Sequence, residues 1–226
     1  MLAPTQLAGL MDHTLLKPEA TEADILRLCH EARENSCCSV CINPAWVALA
    51  ARELSGSGVK VCTVVGFPLG ATLTSVKVNE ASRVIELGAQ EVDMVLNVGA
   101  LKSGQAQLAS YDIFAVAQLC RTHGVTSKVI FETCLLTRAE KILACQFCIE
   151  AGANFVKTST GFSTGGASAA DVQLMSEQVK PAGLGVKAAG GIRTLADARA
   201  MLEAGATRLG VSATLKILAE ARAAAV

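Results

Sequence analysis

The sequence predicts an α/β fold: a single-domain (β/α)8 barrel of the TIM type with a short N-terminal helix, spanning residues 1–226. Three observations carry that prediction. Eight short segments rich in strand-forming residues alternate with helical patterns along the chain. No Pro/Gly/Ser-rich linker divides them. Three helix-to-strand joints are near copies of one another: Glu86-Leu87-Gly88-Ala89, Glu150-Ala151-Gly152-Ala153 and Glu203-Ala204-Gly205-Ala206. An open doubly wound sheet is the alternative, but it leaves two unpaired edges where eight units close a barrel.

Residues 5–9 read as the leading helix and 10–16 as the first strand, which ends before Lys17-Pro18. A helix follows over 21–35. Thr21 is its N-cap with Asp24 three residues on, a variant capping box, and Ile25, Leu28, Cys29 and Ala32 form its apolar stripe. The second strand is 37–42. Asn43-Pro44 then supplies an N-cap and a first-turn proline for a helix over 44–54. Gly56-Ser57-Gly58 precedes a strand, so it is a turn and no dinucleotide fingerprint. The third strand, 59–65, runs into the loop 66–70, and 74–87 is helical. The fourth strand is 91–98, a long helix covers 103–123, and the fifth strand is 127–132. A capping box from Thr137 to Glu140 opens a helix to residue 151. The sixth strand, 154–161, breaks into small polar residues; 163–166 reads as a flexible loop and 168–179 as a helix. The seventh strand is 185–189. Thr194 caps a helix to 204, the eighth strand is 208–211, and a helix closes the chain from about residue 213.

Composition removes several function classes. Twenty basic residues balance twenty acidic ones, so no global field favours nucleic acid or an anionic membrane. No apolar run approaches the roughly 18 residues of a membrane span, and residues 1–5 have no signal-peptide character. The nine cysteines are odd in number and lie in apolar patterns, as core thiols of a reducing cytoplasm do. Cys38 with Cys41 and Cys145 with Cys148 have CxxC spacing, but the first pair lies in a strand, where residues three apart face opposite sides, and the second in a helix with no second pair at zinc-finger distance, so no metal is expected.

The chemistry is expected around Lys157, near the C-terminal end of the sixth strand. Lysine is rarely buried without a reason. Counting five residues on from each repeated glycine reaches Asp93, Lys157 and Gly210, which places them at matching positions in alternate strands. Asp93 and Lys157 then become neighbours inside the barrel, and Gly210 leaves space beside them. Lys187 in the seventh strand adds a second lysine. The bland reading is a buried Lys–Asp ion pair with Lys187 outside it. The functional reading is an amine nucleophile that forms a Schiff base. A free lysine has a pKa of about 10.4, so such an amine must lose its proton, and burial and a second cation both act that way. Lys187 would be that cation, and Asp93 the group that shuttles protons. Gly190-Gly191-Ile192-Arg193-Thr194 and Gly210-Val211-Ser212-Ala213 fall in the loops where such barrels bind phosphate, with Thr160 and Gly161 as a third lobe.

Asp12-His13-Thr14, Glu91-Val92-Asp93-Met94-Val95, Phe155-Val156-Lys157-Thr158-Ser159-Thr160-Gly161 and Gly185-Val186-Lys187-Ala188-Ala189-Gly190-Gly191-Ile192-Arg193 resemble the deoxyribose-phosphate aldolases, in the same order along the chain. The resemblance implies a cofactor-free class I aldolase acting on a small sugar phosphate, 2-deoxy-D-ribose 5-phosphate, and releasing acetaldehyde and D-glyceraldehyde 3-phosphate. It implies a cytoplasmic homodimer with no nucleic-acid or membrane partner. It makes Lys157 the Schiff-base lysine, Lys187 the perturbing lysine and Asp93 the relay aspartate. Asp12 is implied to support Lys187, and Thr160, Gly161, Gly190, Gly191, Gly210 and Ser212 to lie in the phosphate segments. The choice of Lys157 over Lys187 comes from this resemblance, since spacing leaves it open. Cys41 matches a cysteine near the pocket. Three departures stand out: Phe162 occupies a position where some members have a lysine, Ser212-Ala213-Thr214 replaces a more serine-rich segment, and residues 223–226 lack the tyrosine some members carry there. Another lysine-dependent barrel aldolase or transaldolase, and a non-catalytic phosphate-binding barrel, are the competing readings.

Overall fold

The structure is a computed structural model and describes residues 2–224. Eight parallel strands close a barrel in sequence order: β1 (Met11–Leu15), β2 (Ser39–Ile42), β3 (Lys60–Val65), β4 (Glu91–Val95), β5 (Thr126–Ile130), β6 (Phe155–Lys157), β7 (Gly185–Ala189) and β8 (Arg208–Val211). β8 pairs with β1 through Asp12 opposite Gly210, so no strand edge is left open. Around them run α1 (Pro4–Ala8), α2 (Glu22–Glu34), α3 (Val47–Glu53), α4 (Thr74–Glu86), α5 (Val98–Lys102), α6 (Ala106–Thr122), α7 (Arg138–Ala151), α8 (Ala169–Val179), α9 (Leu195–Glu203) and α10 (Thr214–Ala223).

The three expected threonine caps form, but Asn43 does not cap: its Nδ2 donates to the Leu16 carbonyl at 3.1 Å, and Pro44–Trp46 makes a 3-10 turn before α3. The Thr21 hydroxyl accepts from the Asp24 amide while Asp24 accepts from the Thr21 amide, and Thr137 with Glu140 and Thr194 with Asp197 do the same. Two further elements differ from expectation. The fourth strand stops at Val95 because Asn97 caps a separate short helix, accepting from the Ala100 amide at 3.0 Å. The expected long helix over 103–123 is α6, starting at Ala106, and Gly104, whose φ is +72°, parts it from the unforeseen α5. The segment 163–166 has no helix or strand, as expected of a loop, and just after it the Ala167 amide donates to the Gly190 carbonyl at 3.0 Å. Residues 225 and 226, part of the tail that lacks a tyrosine, lie outside the described residues.

The apolar core is divided unevenly. Most of it lies between strands and helices, where Val40, Val92, Val129, Val156 and Val186 meet residues such as Ile25, Ile113, Cys145 and Met175. A small separate cluster holds only Leu16, Cys41, Cys62 and Val64, with Phe67 against it. Much of the space enclosed by the strands is filled by charged groups instead.

Candidate active site

The repeated glycines set the register. Gly88, Gly152 and Gly205 all have positive φ, +105°, +67° and +106°, which ends each preceding helix and starts the next strand at a fixed count. Asp93, Lys157 and Gly210 accordingly converge. Lys157 Nζ lies 2.8 Å from Asp93 Oδ2. Lys187 Nζ lies 2.7 Å from the same oxygen and 2.5 Å from Asp12 Oδ2. Gly210 makes the room for this: a Cβ there would sit 2.9 Å from Lys187 Cε.

The structure adds groups that sequence reasoning missed. Lys128 on β5 is wholly buried, with Nζ 2.7 Å from Asp93 Oδ1 and 2.6 Å from Glu91 Oε2. Arg208 on β8 reaches Asp12 Oδ1 at 2.6 Å and Glu91 Oε2 at 3.1 Å. The Cys62 thiol donates to Asp93 Oδ1 at 3.2 Å. A signal for Lys128 was present in the chain. Four residues on from the positive-φ glycines Gly58, Gly124 and Gly183 stand Cys62, Lys128 and Lys187, on the odd strands, as the five-residue count holds on the even ones.

Charge balance fixes the protonation of the cluster. Burial pushes the Asp93 carboxyl up, but the cations around it, Lys128 first and Lys187 among them, outweigh it and hold it well below the usual carboxylate range. Asp12 behaves alike, with burial overcome by Lys187, Lys128 and Arg208. Burial pushes Lys187 down, but Asp12 and Asp93 raise it well above an ordinary lysine, and it stays an ammonium. Lys128 is likewise held charged, chiefly by Asp93 against its burial. The Cys41 thiol is lowered to about 7, first by its hydrogen bond with Cys62 and then, against burial, by Lys187. Ligand atoms of Cys41, Cys62 and Asp93, and of Asp12, Cys62 and Glu91, lie within 4.8 Å of one another. In both sets the positive charge between the carboxylates is supplied by lysine and arginine, not left for a cation.

A cavity of about 400 Å3 opens over this cluster, lined on one side by Thr14, Leu16 and Lys17 and on the other by Lys157, Ala189 and Ser212. Lys157 is the only member of the cluster on its wall; Asp93, Lys128 and Lys187 lie behind it. Gly161, Gly190 and Gly191 line the far side with φ of +87°, +88° and +81°, and Gly210 joins them. Lys17 and Arg193 add two cationic side chains that the sequence reading had not assigned. Thr160 lines the cavity too, but its amide and hydroxyl both donate to the buried Glu132 carboxylate. The first amides of α9 are also engaged: Arg193 and Thr194 donate to Asp197, and Leu195 to Glu220. Phe162 walls the cavity edge-on to Phe67, with ring centres 5.3 Å apart.

Residues 7–220 match the DeoC/LacD family aldolase. The chain belongs to that family. This aldolase-family chain is 57% identical over 213 residues to a protein named deoxyribose-phosphate aldolase from Halalkalibacterium halodurans, covering 94% of each. It is 58% identical over 213 residues to the like-named protein of Streptococcus gordonii, covering 94% of this chain and 96% of that one. Among solved structures it superposes with a TM-score of 0.92 and 35% identity on the deoxyribose phosphate aldolase of Aeropyrum pernix, described as tetrameric, covering 98% of this chain and 93% of that one. It is an enzyme of the aldolase class, and the (β/α)8 barrel expected from its sequence is the fold it has.

Proposed function

We propose that the protein is a class I aldolase that reversibly cleaves 2-deoxy-D-ribose 5-phosphate to acetaldehyde and D-glyceraldehyde 3-phosphate. One observation carries the reading: Lys157 is the only amine of the buried cluster on the cavity wall, and its nitrogen lies 2.8 Å from the Asp93 carboxylate. The Lys157 amine adds to the C1 aldehyde of the open-chain sugar. The carbinolamine loses water to give an iminium ion, with Asp93 passing the protons. The iminium draws the electron pair of the C2–C3 bond as the C3 hydroxyl gives up its proton. D-glyceraldehyde 3-phosphate leaves, and an enamine of acetaldehyde remains on Lys157. Protonation at C2 and addition of water return acetaldehyde and the free amine. Lys187 remains an ammonium, orients Asp93 through Oδ2 and is itself held by Asp12.

The substrate phosphate rests against Gly161, Gly190, Gly191, Gly210 and Ser212, where positive-φ glycines let peptide N–H groups approach an anion. Arg193 and Lys17 supply charge there, which offsets the aromatic Phe162 at the position of a lysine. Thr160 shapes this turn through Glu132. The small residues Thr158, Ser159, Ala188 and Ala189 suit a two-carbon donor.

The deciding experiment is the variant Lys157→Leu. It should retain the fold by circular dichroism and release no aldehyde from 2-deoxy-D-ribose 5-phosphate. A variant that still cleaves the sugar phosphate would overturn the assignment. We also infer a cytoplasmic homodimer. All nine cysteines are free thiols, as a reducing compartment keeps them, and Leu69 and Leu73 stand 76% and 71% exposed where a partner could cover them.

A further inference from the structure

The buried cluster has a connectivity that the catalytic roles above do not use. Arg208 bonds Asp12, Asp12 bonds Lys187, Lys187 bonds Asp93, Asp93 bonds Lys128, Lys128 bonds Glu91, and Glu91 returns to Arg208. The links measure 2.6, 2.5, 2.7, 2.7, 2.6 and 3.1 Å. They form a closed ring around the inside of the barrel in which cations and anions alternate. Three cations face three anions, so the ring is neutral. Lys157 hangs from it through Asp93 Oδ2 as a seventh group, with no anion of its own.

From this we propose that Lys128, Glu91 and Arg208 are positioning residues that complete a charge-neutral ring and thereby leave the Lys157 amine uncharged and nucleophilic. An extra proton on Lys157 would give the dry interior a net positive charge, which is unfavourable without a counter-ion. Lys128 matters most, because it neutralises the Asp93 oxygen that does not touch Lys157. Without Lys128 the ring would be one charge negative, and Lys157 would keep its proton to balance it. Without the Glu91 charge the ring would be one charge positive, and Lys157 would hold its proton less well.

The other titratable groups near the ring include Cys37, which burial and Asp12 raise, and Cys120, which burial raises against Lys128. Cys41 and Cys62 face it from β2 and β3, Cys38 lies beside Arg208, and Lys60 reaches Glu91 at 3.7 Å from the exposed end of β3. His13, next to Asp12, turns away to Glu31. Apart from the Cys41 thiol, lowered to about 7, none of these supplies an anion for Lys157.

The inference rests on Lys157 being the Schiff-base amine, and its test separates the two. The rate at which acetaldehyde and borohydride trap an adduct is measured against pH in the wild type, Lys128→Met and Glu91→Gln. The wild-type adduct, mapped by peptide mass, should lie on Lys157. In Lys128→Met the acid limb should move up by about 1–3 pH units, with trapping at neutral pH falling roughly tenfold or more and recovering in alkali. In Glu91→Gln it should move down. A Lys157 adduct with limbs that stay put, or that move the same way in both variants, overturns the ring and leaves the aldolase reading standing. A wild-type adduct elsewhere overturns both. If a variant does not fold, side-chain NMR of the wild-type lysines decides. It should find ammonium groups at Lys128 and Lys187 and a free amine at Lys157 near neutral pH; an ammonium at Lys157 overturns the proposal.

Discussion

Lys157 and Lys187 bond the same oxygen of Asp93, yet only one of them can meet a substrate. Lys187 is closed in by Asp12 and by the space Gly210 leaves, whereas Lys157 has one open side. That space is tight enough to test. In Gly210→Ala the new methyl would lie 2.9 Å from Lys187 Cε and 3.0 Å from Ala189 Cβ. The variant should lose about 1–3 kcal/mol in a urea melt and most of its activity, and unchanged turnover would contradict the packing. His13 gives a second prediction at this scale. Burial pushes its imidazole down, outweighing the Glu31 carboxylate that raises it. The unfolded chain then takes up the proton first, so stability should fall as pH drops through about 6.5. Asp12 and Asp93 do not confuse this window. Their carboxyls are lowered, so their contribution is complete above about pH 4 and is lost only as pH falls below it. Melts that match at pH 7 and at more acidic values near pH 5.5 would contradict the His13 assignment. Asp93 and Lys157 were legible in the chain because a counted repeat places them, and Lys187 because it interrupts the small and apolar residues of the seventh strand. Lys128 was marked only by its count of four from Gly124, and Glu91 and Arg208 by nothing comparable. Thr126-Ser127-Lys128-Val129 has the look of a half-exposed strand, which masks that count.

Elements that open on a threonine with an acid three residues on are legible, whereas the Asn43-Pro44 signal gives only a 3-10 turn before α3. Thr21, Thr137 and Thr194 each sit three residues before an acid, so the starts of α2, α7 and α9 were predictable. Asn97 was read as part of a strand, because Val95, Leu96 and Val98 around it are good strand residues; its carbonyl capping α5 is a tertiary choice. A buried ion pair shows how helices are locked to the site-bearing strand. Lys77 on α4 pairs with Asp112 on α6 and donates to the Val95 carbonyl at 2.8 Å, just past Asp93. Lys77→Met leaves Asp112 buried and unpaired and should cost about 3–5 kcal/mol in denaturant melts. The double variant Lys77→Met/Asp112→Leu should cost much less than the two single changes together. Additive losses would mean that the pair is not coupled.

For the molecule as a whole, closure of the barrel is what converts a set of strand-borne charges into one site. No single βα unit holds more than a fragment of the ring, so its geometry exists only when β8 meets β1. At this scale the protein should run as a homodimer of its 23.3 kDa chain in light scattering, and a monomer would contradict the dimer inferred above. The same closure leaves one amine facing the cavity out of three within reach of Asp93. Acetaldehyde followed by borohydride, with the product digested and weighed peptide by peptide, tests that directly. The account predicts a single ethyl group on Lys157, and an ethyl group on Lys187 or Lys128, or none at all, would contradict it.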